Sequence, residues 1–382
     1  MITLDGLVHP GMRIALADGT GSPRALLPAL ASAAAQHRDL RLLLGWMPYA
    51  EPGLDARLFA DARTVMSGWG LRTRIAAGEI ASVPTRMSAA AALLAGPLRP
   101  DLLLACLVRD DDGLRFGAEV SWMRGVVASG VPVAAVVSRA APHADSGPPL
   151  PEGAVTVLGE VDDAPREVAF PPPGEVEAAI AAHVAALVPP GARVQVGPGR
   201  LGAAVLGALA VPVRVDSGLL VEPIVDLDER GLLIDAVGTY LVGTRRLYGW
   251  ADGRSVLRPL EYTHDANRLA AAVPAPLIAV NTAVEIDVAG QVNAEGTADA
   301  VVGGVGGHPD YAEGGTRSQN GLSVVAVASS HRGVSTLVER LSRPVTTASH
   351  DVEVVVTERG SVDLRGMDRS ERSAALRSLW AR

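Results

Sequence analysis

The sequence predicts an α/β protein made of two tandem, open, mainly parallel α/β domains of similar fold. Three observations carry this. Short, nearly unbroken apolar segments alternate with helical stretches along the chain, as in parallel sheets covered on both faces. A strand, glycine turn and helix occur in that order twice, once near each domain start. A segment rich in Pro, Gly, Ala and Asp, 139–175, lies between the halves. The 382 residues are enough for two full cores. The domains are expected at 1–175 and 176–382.

The first half opens with a strand, Gly11–Leu16, the turn Asp18-Gly19-Thr20-Gly21 and a helix over 23–35. Ser22-Pro23 suits an N-cap followed by a first helical residue. Apolar runs predict strands at 40–45, 71–75, 102–108 and 131–138, and helices are expected over 88–95 and 119–129. Within 139–175 only Val155–Leu158 reads as a strand. A helix follows from Glu175 to about Leu187. The second copy of the opening unit is Gly191–Val196, Gly197-Pro198-Gly199 and a helix carrying Ala203, Val205, Leu206 and Leu209. Strands at 211–215, 278–288, 323–328 and 352–357 complete the second half.

Composition removes several classes of function. Net charge is −8, against a general nucleic-acid partner. All 34 basic residues are Arg, which excludes a lysine Schiff base, pyridoxal phosphate attachment and a P-loop lysine. Any ligand phosphate falls to Arg, backbone N–H groups or a helix N-terminus. Cys106, the single cysteine, lies in an apolar run and reads as a small core residue, although a nucleophilic role stays open. The start shows no signal-peptide pattern and no segment is long and apolar enough to span a membrane. A cytoplasmic, reducing setting is expected. His308, His331 and His350 lack metal-ligand spacing, so no metal is assigned.

The stretch 279–296 is the richest in chemistry. Val284, Ile286 and Val288 alternate on one predicted face, with Glu285 and Asp287 on the other. A carboxylate among residues expected to be buried is costly unless paired or used. For Glu285 the alternatives are a reactive group and an ion pair with an Arg; Asp287 reads as structural.

A second motif points elsewhere. Gly197-Pro198-Gly199-Arg200-Leu201-Gly202 is a G-x-G-x-x-G between strand and helix, and Asp216 ends the next strand. This is the pattern of a nicotinamide-dependent oxidoreductase. The same glycine turn in the first half favours a scaffold feature instead, and a tight βα turn without ligand is also open.

Longer motifs resemble the acetyl-CoA hydrolase/transferase family, which includes 4-hydroxybutyrate and succinyl:acetate CoA-transferases. Val194–Gly199 resembles its "LQ-G-G" turn, and Asp216–Val221 with Asp226–Gly231 its "H-S-E-M…D-L…G" stretch. Gly243–Tyr248 resembles "G-S-x-x-L-Y". Asn281–Asp287 with Gly290–Val292 resembles "N-S-A-x-E-V-D-L-x-G-Q-V". Gly303–Gly307 with Asp310-Tyr311 resembles "G-G-x-G-G-x-x-D-F". Val345–Thr347, His350–Val352 and Val355–Gly366 resemble the C-terminal block. The likeness is strong over 176–382 and weaker over 1–175.

The resemblance implies a CoA-transferase family I-like fold with the site in the cleft between two domains. It implies transfer of CoA between short-chain carboxylic acids through a glutamyl-CoA thioester at Glu285. Gly360 would supply a backbone N–H to the thioester oxygen. Tyr262, Thr263, His264, Asp265 and Ser335 would contact CoA. Gly304, Gly306 and Gly307 would line the acyl pocket. For His264 a surface-loop imidazole, and for the glycines a plain flexible loop, are the alternatives. CoA or acyl-CoA enters as substrate, with no permanently bound cofactor, a small carboxylate as the other partner and a homodimer as the expected assembly.

The chain departs from the family where "S-K-G-G-K-S" becomes Ser318–Ser323, "S-R-I-V-P" becomes Ser335–Glu339 and "T-T-x-R-x-D" becomes Thr346–Asp351. Cationic positions are lost in each, and Arg317, Arg332, Arg340 and Arg343 are nearby substitutes. Acyl-CoA hydrolysis by the same glutamate, nicotinamide-dependent oxidoreduction and CoA binding without turnover remain as alternative functions.

Overall fold

The computed structural model describes residues 2–382. Its internal contacts divide the chain into two compact units. Unit one runs to Val168 and regains Thr239–Glu261; unit two is Ala169–Gly238 with Tyr262–Arg382. The first crossover lies close to the break expected near 175. The return of 239–261 to unit one differs from the single cut expected, because linear composition carries no mark of a chain that crosses back.

Unit one holds β1 (Arg13–Leu16), α1 (Leu27–Gln36), β2 (Arg41–Leu44), β3 (Asp61–Thr64), α2 (Arg72–Ala76), β4 (Ala81–Ser82) and α3 (Met87–Ala95). Then come β5 (Leu102–Asp110), β6 (Gly113–Arg115), α4 (Met123–Ala128), β7 (Val133–Ser138) and β8 (Val155–Val161). The strand order is β4-β3-β2-β1-β5-β7-β8, parallel throughout, with β6 folded back antiparallel on β5. Leu16, Leu42 and Leu104 from adjoining strands pack with Leu30 of α1 in one apolar core.

The strand expected at 71–75 is helical: a 3-10 turn, Trp69–Leu71, leads into α2. Leu71 and Ile75 stand four apart, a helical spacing that the alternating reading overlooked. The neighbouring strand is Asp61–Thr64, whose Arg63 and Asp61 pair on the exposed side at 2.8 Å. That charged edge hid the strand from a search for apolar runs. The helix expected from 119 begins at Met123. The residues before it include Glu119, which turns inward.

Unit two continues with α5 (Glu175–Ala185), β9 (Arg193–Val196), α6 (Arg200–Ala208), β10 (Val213–Asp216) and β11 (Leu233–Val237). After β12 (Leu277–Thr282) come β13 (Glu285–Asp287), β14 (Val292–Asn293) and α7 (His308–Arg317). β15 (Leu322–Ala326), β16 (Leu337–Val338), β17 (Val354–Thr357), β18 (Gly360–Asp363) and α8 (Arg369–Ala381) close it. The sheet order is β11-β10-β9-β12-β15-β17-β18, parallel except for the last hairpin. In both units the chain builds outward from a first strand and then returns to that strand's other side. The repeated opening unit therefore marks two sheets of one topology.

The single strand expected over 278–288 is two. β12 ends at Thr282, and β13 belongs to a small sheet with β14 and β16. Asp287 is 5% exposed and accepts from the N–H groups of Ala289 and Gln291 and from the Gln291 amide. It closes the β13–β14 turn, the structural role expected of it. No helix among the described residues is long and apolar enough to cross a membrane.

Candidate functional site

In unit two the strand order reverses between β9 and β12. Open α/β sheets bind ligands outside the carboxyl ends of the strands at such a reversal, because the loops there diverge and leave a crevice. The loop after β9 begins at Gly197, whose N–H donates to Val280 O at 3.0 Å. The chain after β12 passes through Ala283 and Val284 directly into Glu285.

Glu285 is half-buried. Its Oε2 accepts from Asn293 Nδ2 at 3.0 Å and from the Ser342 N–H at 2.9 Å. The Ser342 hydroxyl lies 2.8 Å from Oε1 and 2.9 Å from Oε2. Among the described residues no guanidinium pairs with it, so the ion-pair alternative does not hold. Asn293 is fully buried and rigidly placed: its amide also donates to Gly296 O at 2.7 Å, and its Oδ1 accepts from Glu295 N–H at 2.9 Å. The β13–β14 hairpin sets Glu285 opposite Asn293. Gly290 at the turn was visible in the sequence, so this partner could have been found from hairpin register. Ser342 lies far along the chain and left no such signal.

His264 is 4% exposed, not a surface-loop imidazole. Its Nδ1 lies 2.9 Å from the Thr263 hydroxyl, and its ring meets Tyr311 edge-on with centroids 4.9 Å apart. Gly307 must be glycine here, because a Cβ would lie 2.5 Å from His264 Nε2. Burial, with Arg268 nearby, pushes the His264 pKa down to about 3, so the ring is neutral at pH 7. His264 and Gly307 are thus brought together.

The other expected residues have mixed placements. Tyr262 is exposed, with the Arg268 guanidinium 4.3 Å from its ring centre, and Asp265 caps the following turn by accepting from Arg268 N–H at 2.6 Å. Thr263 is buried. Gly304 is half-buried, and Gly306 precedes Gly307 at the N-cap of α7. Ser335 is exposed in a hairpin and donates to Leu337 O at 2.9 Å. Gly360 faces Thr357 across the β17–β18 turn. Neither Ser335 nor Gly360 is a hydrogen-bond partner of Glu285.

Sequence reasoning considered His308 only as a metal ligand and gave it no role. It opens α7 with Nδ1 2.6 Å from the Thr347 hydroxyl, while its buried Nε2 has no partner. Burial lowers its pKa to about 4. Arg332 and Arg340 are exposed on the loops of unit two. Arg317 is engaged by Glu313 at 2.7 Å, and Arg343 by Thr297 O at 2.5 Å.

The geometry around the second glycine motif weighs against nicotinamide binding. Arg268 bonds both oxygens of Asp216, at 2.8 and 2.9 Å, and Arg193 adds a third contact at 3.3 Å. A ribose would find that carboxylate already taken. Gly202 is required by close packing, since a Cβ would strike the Gly197 carbonyl. The motif serves the βα turn.

Unit one holds buried acids of its own at the corresponding reversal, beside β1. Asp18 is 1% exposed; its Oδ2 accepts from Trp46 N–H, Trp122 Nε1–H and the Tyr240 hydroxyl at 2.8, 2.9 and 2.7 Å. Glu119, 4% exposed, fills the Asp18–Gly21 turn and accepts from Gly21 N–H at 3.1 Å. A Cβ at Gly19 or Gly21 would fall 2.7 or 2.5 Å from its carboxylate. Burial pushes Glu119 up to about 8 and Asp18 up to about 6. The first glycine turn is thus occupied by a carboxyl of its own chain. Cys106 is packed beside the core, and burial raises its thiol to about 12, the state of an inert residue.

Residues 243–380 match the acetyl-CoA hydrolase/transferase C-terminal domain. The chain is similar to 4-hydroxybutyrate coenzyme A transferase of Clostridium kluyveri, 29% identical over 225 residues, covering 55% of this chain and 52% of that protein. It is similar to succinyl-CoA:cyclohexane-1-carboxylate CoA transferase of Geobacter metallireducens, 28% identical over 234 residues, covering 57% and 53%. The matched stretch thus spans about half the length of these relatives. Among solved structures, RipA from Yersinia pestis superposes with a TM-score of 0.85 at 23% identity, covering 98% of this chain and 91% of that one. That likeness establishes the fold. The acetyl-CoA hydrolase/transferase segment contains both Glu285 and His264.

Proposed function

We propose that the protein binds acyl-CoA and moves CoA between short carboxylic acids, with Glu285 as the attacking carboxylate. The observation that carries the reading is the position of Glu285, next beyond β12 at the reversal of strand order and neutralised by no guanidinium among the described residues. A carboxylate in a partly dry setting reacts better than one in water, and a covalent route divides one hard transfer into easier steps.

Glu285 attacks the thioester carbonyl and expels CoA thiolate, leaving a mixed anhydride. The thiolate attacks the glutamyl carbonyl of that anhydride, releasing the donor acid and forming glutamyl-CoA. An acceptor carboxylate then attacks glutamyl-CoA, and the released thiolate takes the acceptor's acyl group and frees Glu285. No proton is transferred, so the neutral His264 and the absence of Lys present no obstacle. Gly360 N–H serves the thioester oxygen; Tyr262–Asp265 and Ser335 contact CoA; Gly304, Gly306 and Gly307 border the acyl group. The exposed Arg332 and Arg340 supply charge for CoA phosphates in place of lysines. A cytoplasmic setting and a homodimer belong to the same reading.

Mass spectrometry after incubation with acetyl-CoA tests this. CoA attached through Glu285 is expected, and Glu285→Ala should lose the adduct and at least ~10³-fold in turnover, the scale of losing a covalent nucleophile. No adduct in the wild type, or turnover surviving in Glu285→Ala, rejects the mechanism. Thioester loss at the same rate with and without acetate or succinate would assign hydrolysis instead of transfer.

A second reading is CoA binding without turnover. Two observations favour it. The Ser342 and Asn293 donors stabilise the Glu285 carboxylate and lower its nucleophilicity. Gly218 stands where the resembling "H-S-E-M" stretch carries a glutamate. This reading gives CoA binding with neither adduct nor acyl exchange.

A further inference from the structure

Two polar groups of unit two meet beside one glycine. Tyr311 on α7 is 2% exposed, and its hydroxyl makes no hydrogen bond. A buried hydroxyl without a partner is unfavourable, and in a native protein it calls for an explanation. The second group is His264 Nε2, the ring nitrogen turned away from Thr263. Both border Gly218. A Cβ at that position would lie 3.4 Å from His264 Cε1, 3.5 Å from His264 Nε2 and 3.8 Å from the Tyr311 hydroxyl. Those are ordinary contact distances, so the place of a side chain beside Gly218 is open.

Asp216, two residues before Gly218, is paired with both Arg268 and Arg193, and Asp310 adds a second carboxylate near Tyr311.

We propose that the space beside Gly218 is a subsite for one oxygen of the acid carried by CoA, a carbonyl or carboxylate oxygen, with the Tyr311 hydroxyl as donor and the His264 imidazole beside it. The Thr263 hydroxyl and His264 Nδ1 lie 2.9 Å apart, and the tautomer that carries its proton on Nε2 makes His264 a second donor. The subsite rests on the proposed binding of acyl-CoA and deepens it. It holds whether or not Glu285 turns the ligand over, because it concerns recognition of the acyl oxygen.

Calorimetric titration of the full chain with acetyl-CoA and with free CoA tests it. The wild type is expected to bind acetyl-CoA more tightly than CoA. Tyr311→Phe removes only the hydroxyl and should weaken acetyl-CoA binding about tenfold, the usual scale of one lost hydrogen bond, while CoA binding stays as it was. The melting temperature of the unliganded variant should not fall, because an orphaned hydroxyl contributes no bond. Gly218→Ala, which fills the space with a methyl group at ordinary contact distances, should act in the same direction. An unchanged ratio of the two affinities in both variants overturns the subsite and leaves a buried water as its occupant. Equal affinities in the wild type also overturn it. Wild-type protein that binds neither CoA nor acetyl-CoA overturns the proposed function, and the subsite with it.

Discussion

Asp216→Ala is expected to destabilise unit two by about 3–5 kcal/mol, the scale observed when one member of a buried ion pair is removed. Asp216 and Arg193 are 5% and 2% exposed, and the carboxylate is held by Arg268 through both oxygens. Without it, two guanidiniums remain in a poorly solvated place. Arg193 keeps its bonds to the carbonyls of Ala275, Arg268 and Leu269, but those oxygens carry no formal charge. For a unit of this size the loss corresponds to a fall in melting temperature on the order of 10 °C. Asp216→Asn should fall between wild type and Asp216→Ala, since it keeps shape and one acceptor. Thermal unfolding followed by circular dichroism reads the effect. A shift of less than ~2 °C would mean that solvent reaches the guanidiniums and that the network is peripheral.

The second large effect concerns pH. Glu119 is held above its ordinary value, from 4.5 to about 8, first by burial and also by Asp18. The folded state therefore binds a proton that the unfolded state has released, and stability falls as pH rises through that interval, by about 1.4 kcal/mol per pH unit at most. Asp18, raised to about 6, adds to the fall at the acid end. His264 and His308 act in the opposite sense. Their folded values are depressed, so their contribution is present above pH ~6.5 and disappears as pH falls toward 4. The opposing slopes overlap below pH ~6.5. Between about 6.5 and 8 the Glu119 carboxyl dominates, and roughly 2 kcal/mol should be lost across that span. Urea denaturation at closely spaced pH values measures it. Glu119→Gln, which stays neutral in the same turn, should flatten the curve in that range. A wild-type curve already flat from 6.5 to 8 would show that Glu119 ionises normally.

The sequence went far on topology. Two copies of strand, glycine turn and helix at 11–35 and 191–209 correspond to β1–α1 and β9–α6, the starting strands of two sheets with one order. Their legibility has a physical basis, because a parallel strand buried on both faces must be apolar along its length. Where that condition relaxes, prediction failed. β3 is charged on its open side, and Leu71–Ile75 is apolar at two positions that also suit a helix. The long run after Leu277 is apolar across a break that only pairing reveals, since β12 pairs with β9 and β15 while β13 pairs with β14 and β16.

Chemistry was less legible than fold. Glu285, His264 and Gly307 could be named because they fall in long motifs. Their partners from distant parts of the chain could not. Ser342 reaches Glu285 from 57 residues away, and Tyr240 reaches Asp18 from 222 residues away. The sequence by itself determined two parallel α/β sheets, a chain without lysine chemistry and the segment that carries the candidate carboxylate, because apolar period, glycine placement and composition are local properties. The tertiary structure decided which buried polar groups are bonded and which are orphaned, that Asp216 is held by two arginines and that Glu119 fills the first glycine turn. Burial and hydrogen-bond partners depend on residues distant in the chain, and no local pattern encodes them.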